Sequence, residues 1–207
     1  KNKYITSFAM LNRKIYSYLR NFFKNEKKAL LVEGARQVGK TYAIRKTGSE
    51  CFKNVVEINF INQPKFREAF SVPSDAKNIL LRLSALANTT LEPGNTLIFF
   101  DEVQECPEIV TAIKFLVDEG SYRYVMSGSL LGVELKDIRS VPVGYLTVKP
   151  MFPLDLEEFA EAVGMSKEVM NHVRVCYEDK KAVDEVIHEK MNDLVRLYLV
   201  VGGMPEA

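Results

Sequence analysis

The segment Gly34-Ala35-Arg36-Gln37-Val38-Gly39-Lys40-Thr41 fits the pattern G-x-x-x-x-G-K-[ST] and stands between the apolar run Ala29–Glu33 and a polar, helix-like stretch. Around this glycine-rich turn, short apolar strands alternate with longer amphipathic segments, the signature of a parallel sheet covered by helices on both faces. Five strands are expected, at Ala29–Glu33, Val55–Phe60, Thr96–Asp101, Tyr122–Ser127 and Tyr145–Lys149. Ile109, Ile113 and Leu116, widened by Val110 and Val117, mark a helix over Glu108–Asp118, which Pro107 suits as a start.

A second motif completes the first. Leu97-Ile98-Phe99-Phe100-Asp101-Glu102 reads as a buried strand ending in two carboxylates. A triphosphate carries several negative charges, which a glycine loop wraps with backbone N–H groups while the next helix adds the positive end of its dipole. Gly34 and Gly39 permit that approach, Lys40 is expected to reach the β- and γ-phosphates, and Thr41 and Asp101 are the expected Mg²⁺ holders. Ala35, Arg36, Gln37, Val38 and Tyr42 complete the expected nucleotide contacts. Glu102 is the expected catalytic base that orients water for attack on the γ-phosphate, favouring hydrolysis over transfer to an acceptor. Ser127, ending the next strand in Ser127-Gly128-Ser129, is a candidate sensor of that phosphate, against the plainer role of local capping.

The fold class expected is therefore α/β, a P-loop NTPase three-layer sandwich with a five-stranded, mainly parallel sheet. The strand expected between the two motifs places it with NTPases in which another strand lies between the motif strands, an arrangement that usually keeps a glutamate base. No Asn-Lys-x-Asp element selects guanine, so ATP with Mg²⁺ is the expected ligand pair.

After Pro150 the character changes. Leu154–Val163 reads as a helix stopped by Gly164, and Val183, Val186, Ile187, Met191, Leu194, Val195 and Tyr198 follow helical spacing. The expected division is a core over 1–150 and a small all-helical lid over 151–207. Lys1 in place of an initiator methionine, and an end at Gly202-Gly203-Met204-Pro205-Glu206-Ala207, lead us to expect a piece of a longer protein.

Charge is unevenly spread. The chain has 28 Lys and Arg against 27 acids, yet residues 1–53 carry thirteen against Glu26, Glu33 and Glu50. With Tyr4, Phe8, Tyr16, Tyr18, Phe22 and Phe23 interleaved, this quarter is either a nucleic-acid face or a helix whose Ile15, Leu19, Phe22 and Phe23 pack inward. Cys51, Cys106 and Cys176 are odd in number and widely spaced, and His172 and His188 have no ligand-like neighbours, so neither a disulfide framework nor a zinc site is indicated. Apolar runs fall short of the ~20 residues that span a bilayer, and no signal peptide is visible, so a cytoplasmic location without a membrane partner is expected.

The motifs together resemble the prokaryotic AAA+-type ATPases that open with a Gly-Ala-Arg-Gln-Val-Gly-Lys-Thr loop. The likeness runs from Arg13 to Ala207 and includes Asp101-Glu102-Val103-Gln104 with Pro107, the Ser-Gly-Ser turn, Pro153–Phe159 and the Gly202–Glu206 segment. It implies an AAA+/ASCE-like, Mg²⁺-dependent ATPase core with a helical lid, working as a nucleotide-controlled switch or motor. It also implies a homo-oligomer or protein partner and a further C-terminal domain of unknown function. One position departs: Val143-Gly144-Tyr145 stands where the group often has Ala-Gly-Arg, and Tyr145 supplies no positive charge to a transition state. Arg139, or Arg36 facing a neighbour, are the candidate substitutes, and slow or partner-dependent hydrolysis is expected. Two readings compete, a nucleic-acid-binding module with ATP as a regulator and, last, a small-molecule phosphotransferase. A nuclease reading of Glu134-Leu135-Lys136 lacks a second acid on a neighbouring strand.

Overall fold

The computed structural model describes residues 11–71, 75–87, 90–129 and 144–205. Five strands, β1 (Ala29–Glu33), β2 (Asn54–Asn59), β3 (Thr96–Asp101), β4 (Arg123–Gly128) and β5 (Leu146–Pro150), form one sheet in the order β2-β3-β4-β1-β5. Every neighbouring pair is parallel. β1 and β3 have the bounds expected, and the other three are displaced by one residue. In space, β4 separates the strands of the two motifs, while β2 is an edge; closeness in sequence does not determine sheet order.

Burial follows that order. β3 is buried at all six positions, as a central strand covered on both faces must be, whereas β2 and β5 are mostly half-buried at the edges. Side chains alternate between faces. Leu31, Ile58, Ile98, Phe100, Tyr124 and Met126 join α3 (Ala76–Ala87) and α4 (Glu108–Glu119) in one core, where Phe100 stacks on Phe60 and Tyr124. On the opposite face lies α2 (Lys40–Cys51): a Cβ on its Gly48 would come within 2.9 Å of Leu97 Cδ2 and 3.3 Å of Val55 Cγ2. This is the three-layer sandwich.

α1 (Lys14–Asn25) buries Ile15, Leu19, Phe22 and Phe23, and Phe23 meets Phe52 edge-on at 5.3 Å. The aromatics that framed the nucleic-acid reading of this segment are therefore largely packed; Tyr4 and Phe8 lie outside the described residues.

The chain divides into two compact units, Ser17–Met151 and a second made of residues up to Tyr16 together with Phe152–Ala207. The second contains α5 (Leu156–Ala162), α6 (Lys167–Glu178) and α7 (Glu185–Val201). Each helix begins on a side-chain cap: Asp155 in a capping box with Glu158, Ser166, and Asp184. Arg13 Nε meets Glu158 Oε2 at 3.0 Å with both side chains buried, while Arg13 also donates to the Phe152 carbonyl and the Lys14 N–H to Glu158. Arg13 and Lys14 thus group with the C-terminal helices by polar contacts that no periodicity announces. No helix among the described residues is long and apolar enough to cross a membrane. Cys51, Cys106 and Cys176 are free thiols.

Candidate functional site

Parallel strands place their carboxyl ends on one edge, and the register brings Val32 opposite Ser127, Glu33 opposite Gly128 and Asn59 opposite Asp101. The link from β4 to β5 passes to the far side of β1, and ligands of such sheets bind at the crevice this reversal opens.

The loop leaves β1 there. Gly34 passes so close to the chain after β5 that any Cβ would collide with the Met151 carbonyl, whose own N–H donates to the Glu33 carbonyl at 2.7 Å. Ala35, Arg36 and Gln37 are exposed while Val38 is fully buried, anchoring the loop from beneath. Gln37 (φ 65°) and Gly39 (φ 93°) take left-handed conformations, the kind of alternation that turns successive N–H groups toward one concavity. Gly39 is also the N-cap of α2 and offers no side-chain cap, so the first-turn N–H groups are left for an anion. Tyr42 is half-exposed on that turn.

Lys40 is 8% exposed and donates to the Gly34 and Ala35 carbonyls at 2.9 and 2.7 Å. Burial pushes its ammonium below the ordinary lysine range, against the pull of Glu102 and Asp101 and with a push from Arg36. An ammonium folded back on its own loop, with acids in its field, is positioned to exchange two carbonyls for phosphate oxygens.

Asp101 is the hub of the site. It is 3% exposed and accepts from Thr41 Oγ1 at 3.3 Å on each oxygen, from Ser127 Oγ, and from Asn59 Nδ2 at 3.0 Å. A buried carboxylate ringed by donors is fixed in direction. Asn59 escaped the sequence reading. Its signal was its place at the end of β2 in register with Asp101, and its Oδ1 also accepts from the Ile61 and Asn62 N–H groups, closing the turn after the strand.

Glu102 departs from the strand in a left-handed conformation (φ 59°, ψ 50°), which costs a non-glycine residue about 1–2 kcal/mol. That turn lifts its half-buried carboxylate out of the sheet, where Gln104 Nε2 donates to it at 2.5 Å. Strain held at such a position is common where a side chain must be aimed.

A hydroxyl and one buried carboxylate suit Mg²⁺, which takes its remaining ligands from phosphate and water and dehydrates reluctantly. Among the described residues no group of three His, Cys, Asp or Glu forms an all-protein cage. The donor set fits the nucleotide-borne cation.

Tyr145 precedes β5, its carbonyl accepts the Ala29 N–H at 2.9 Å and Lys114 Nζ lies 5.5 Å from its ring centre. Val143, Arg139 and Glu134–Lys136 lie outside the described residues.

A parallel β2-β3-β4-β1-β5 sheet, with a glycine loop between β1 and α2 and a buried carboxylate closing β3, defines a P-loop NTPase fold with a helical C-terminal part. A family model described as an AAA domain matches residues 26–160, most of the chain, and the chain belongs to that family, the AAA+ P-loop ATPases. Among solved structures, it is similar to C. elegans PCH-2 at 13% identity over 83% of this chain and 48% of that one, with a TM-score of 0.46. It is similar to the Aeropyrum pernix ORC1 protein in complex with DNA at 10% identity, 86% and 64% coverage and a TM-score of 0.47. A variant of Thermotoga maritima RuvB gives 17%, 76% and 50%, with a TM-score of 0.45. The chain spans between 48% and 64% of the length of these structures. No curated protein sequence matches it.

Proposed function

We propose that this chain binds ATP with Mg²⁺ and hydrolyses it, slowly when alone, as the nucleotide-driven switch or motor of a larger machine. The observation that carries the reading is the convergence of Thr41 and Asp101, from the loop and from β3, at 3.3 Å. Thr41 and Asp101 would hold Mg²⁺, which would supply positive charge against the charge that develops on the phosphates.

The chain's own residues then divide the work. Backbone N–H groups from Gly34 to Thr41 receive phosphate oxygens, Lys40 neutralises charge on the β- and γ-phosphates, and Ala35, Arg36, Gln37, Val38 and Tyr42 shape the nucleotide's surroundings. Thr41 and Asp101 hold the cation. Glu102, aimed by its left-handed turn and by Gln104, accepts the proton of an attacking water. Ser127 and Asn59 hold Asp101 in direction, and Ser127 relays the state of the γ-phosphate through that contact. Tyr145 brings no cation to the transition state, which supports slow hydrolysis until a neighbouring copy or partner supplies an arginine. Titrating a fluorescent ATP analogue into wild type and Lys40→Ala tests the assignment: equal affinity in both sinks it.

A further inference from the structure

At the opposite edge of the sheet, where β2, β3 and β4 begin, the core unit has a cleft of about 1010 Å³ that the phosphate-loop site does not use. Five cations line it from four different segments: Arg20 and Lys24 one turn apart on α1, Lys27 just past that helix, Lys53 before β2 and Arg123 opening β4. Only Glu50 and Asp118 oppose them within the lining, and Glu50 is held by Arg20 at 2.8 Å. Lys53 pairs with Glu92 at 3.0 Å on the exposed rim, a contact that salt and solvent weaken. Lys24, Lys27 and Arg123 have no ion-pair partner among the described residues.

Aromatic rings share this lining. Phe52 and Tyr122 are half-buried in the lining, Phe52 against Phe23, and the Tyr122 hydroxyl donates to the Leu91 carbonyl at 3.4 Å, tethering the ring. Helix carboxyl ends collect cations for their dipoles, which explains a lysine near α1 or α2 taken singly. It does not explain Arg123 on a strand, nor the aromatic floor.

We propose that this cleft binds single-stranded nucleic acid, with phosphates on Lys24, Lys27, Lys53 and Arg123 and bases against Tyr122 and Phe52. Cations tracking a backbone beside aromatic rings that accept any base are the composition such strands require. An acidic peptide would use the cations alone, and a cleft of this volume takes a few nucleotides of one strand. The inference is independent of the ATP reading, since the two sites lie on opposite edges of the sheet.

The test is fluorescence anisotropy of a labelled 15-residue oligothymidylate at low salt, with the Lys24→Glu/Lys27→Glu double variant, Tyr122→Ala, and ATP-analogue binding and thermal melting as checks of folding. Wild type should bind, with log affinity falling linearly in log salt by about 0.7 per phosphate neutralised. The double reversal should weaken binding at least about tenfold and flatten that slope by about 1.4, while Tyr122→Ala should cost about tenfold with the slope unchanged. ATP-analogue binding should persist in all three. No binding by wild type at low salt, undiminished binding by a folded double variant, or equal binding of a duplex or of poly-glutamate would overturn the proposal. Loss of ATP binding with retained oligothymidylate binding in Lys40→Ala would leave this cleft assigned and speak only to the other site.

Discussion

Thr41 and Asp101 are sixty residues apart in the chain, yet the Thr41 hydroxyl lies 3.3 Å from both carboxylate oxygens of Asp101. Two strands and a helix N-terminus have to be placed correctly for that contact to exist. It is the point at which the fold and the proposed chemistry become one claim.

Lys40 gives the first prediction. Lys40→Ala should weaken ATP-analogue binding by about 10- to 100-fold, the value of a charged hydrogen-bonding group, measured by titration calorimetry. Burial lowers the pKa of this ammonium, so between its folded and unfolded values the unfolded chain binds more protons. Stability of the nucleotide-free protein should therefore rise with pH in that alkaline window, and Lys40→Met should remove the rise in urea titrations run across it.

Asn59 is predicted to act through Asp101. Asn59→Ala leaves Asp101 Oδ2 without the donor at 3.0 Å and should cost about 1–3 kcal/mol in urea unfolding. The Mg²⁺ concentration needed for half-maximal nucleotide binding should also rise. Unchanged Mg²⁺ dependence would reduce Asn59 to a turn-closing residue.

Gly48 tests the packing of α2 on the sheet. Gly48→Ala improves helix propensity, yet its Cβ would stand 2.9 Å from Leu97 Cδ2, so we expect a net loss of about 1–3 kcal/mol by thermal or chemical unfolding. A more stable variant would show that the helix lies farther from β3 than described.

Glu158 carries the buried polar contacts of the second unit. Glu158→Gln removes one partner of an ion pair whose side chains are only 6% and 8% exposed, and leaves Arg13 buried. The expected loss is about 3–5 kcal/mol, read by chemical unfolding.

The sheet was legible because each central strand is a short apolar run, and β3, buried throughout, is the clearest. The paired motifs were legible because phosphate chemistry fixes residue types at fixed spacing. Less could be read where tertiary contacts decide. Two helices are missing from the sequence reading: α3, which buries Ile79, Leu80 and Leu83 and whose Asn78 N–H donates to Asp75, and α6, which starts at the Ser166 cap and buries only Cys176. Strand order is a property of crossovers, so the place of β4 between the motif strands, and with it the Ser127–Asp101 contact, could not come from periodicity. Asn59 was invisible for the same reason: nothing in a lone asparagine says which carboxylate will be its register partner.

The most direct measurement is Mg²⁺-dependent phosphate release from ATP by purified wild type beside Glu102→Gln. Wild type should show slow, Mg²⁺-dependent release, and Glu102→Gln a rate lower by about 10²- to 10⁴-fold with ATP-analogue affinity retained. An equal rate in the two proteins, or no release by wild type even with a second copy or partner present, would contradict it.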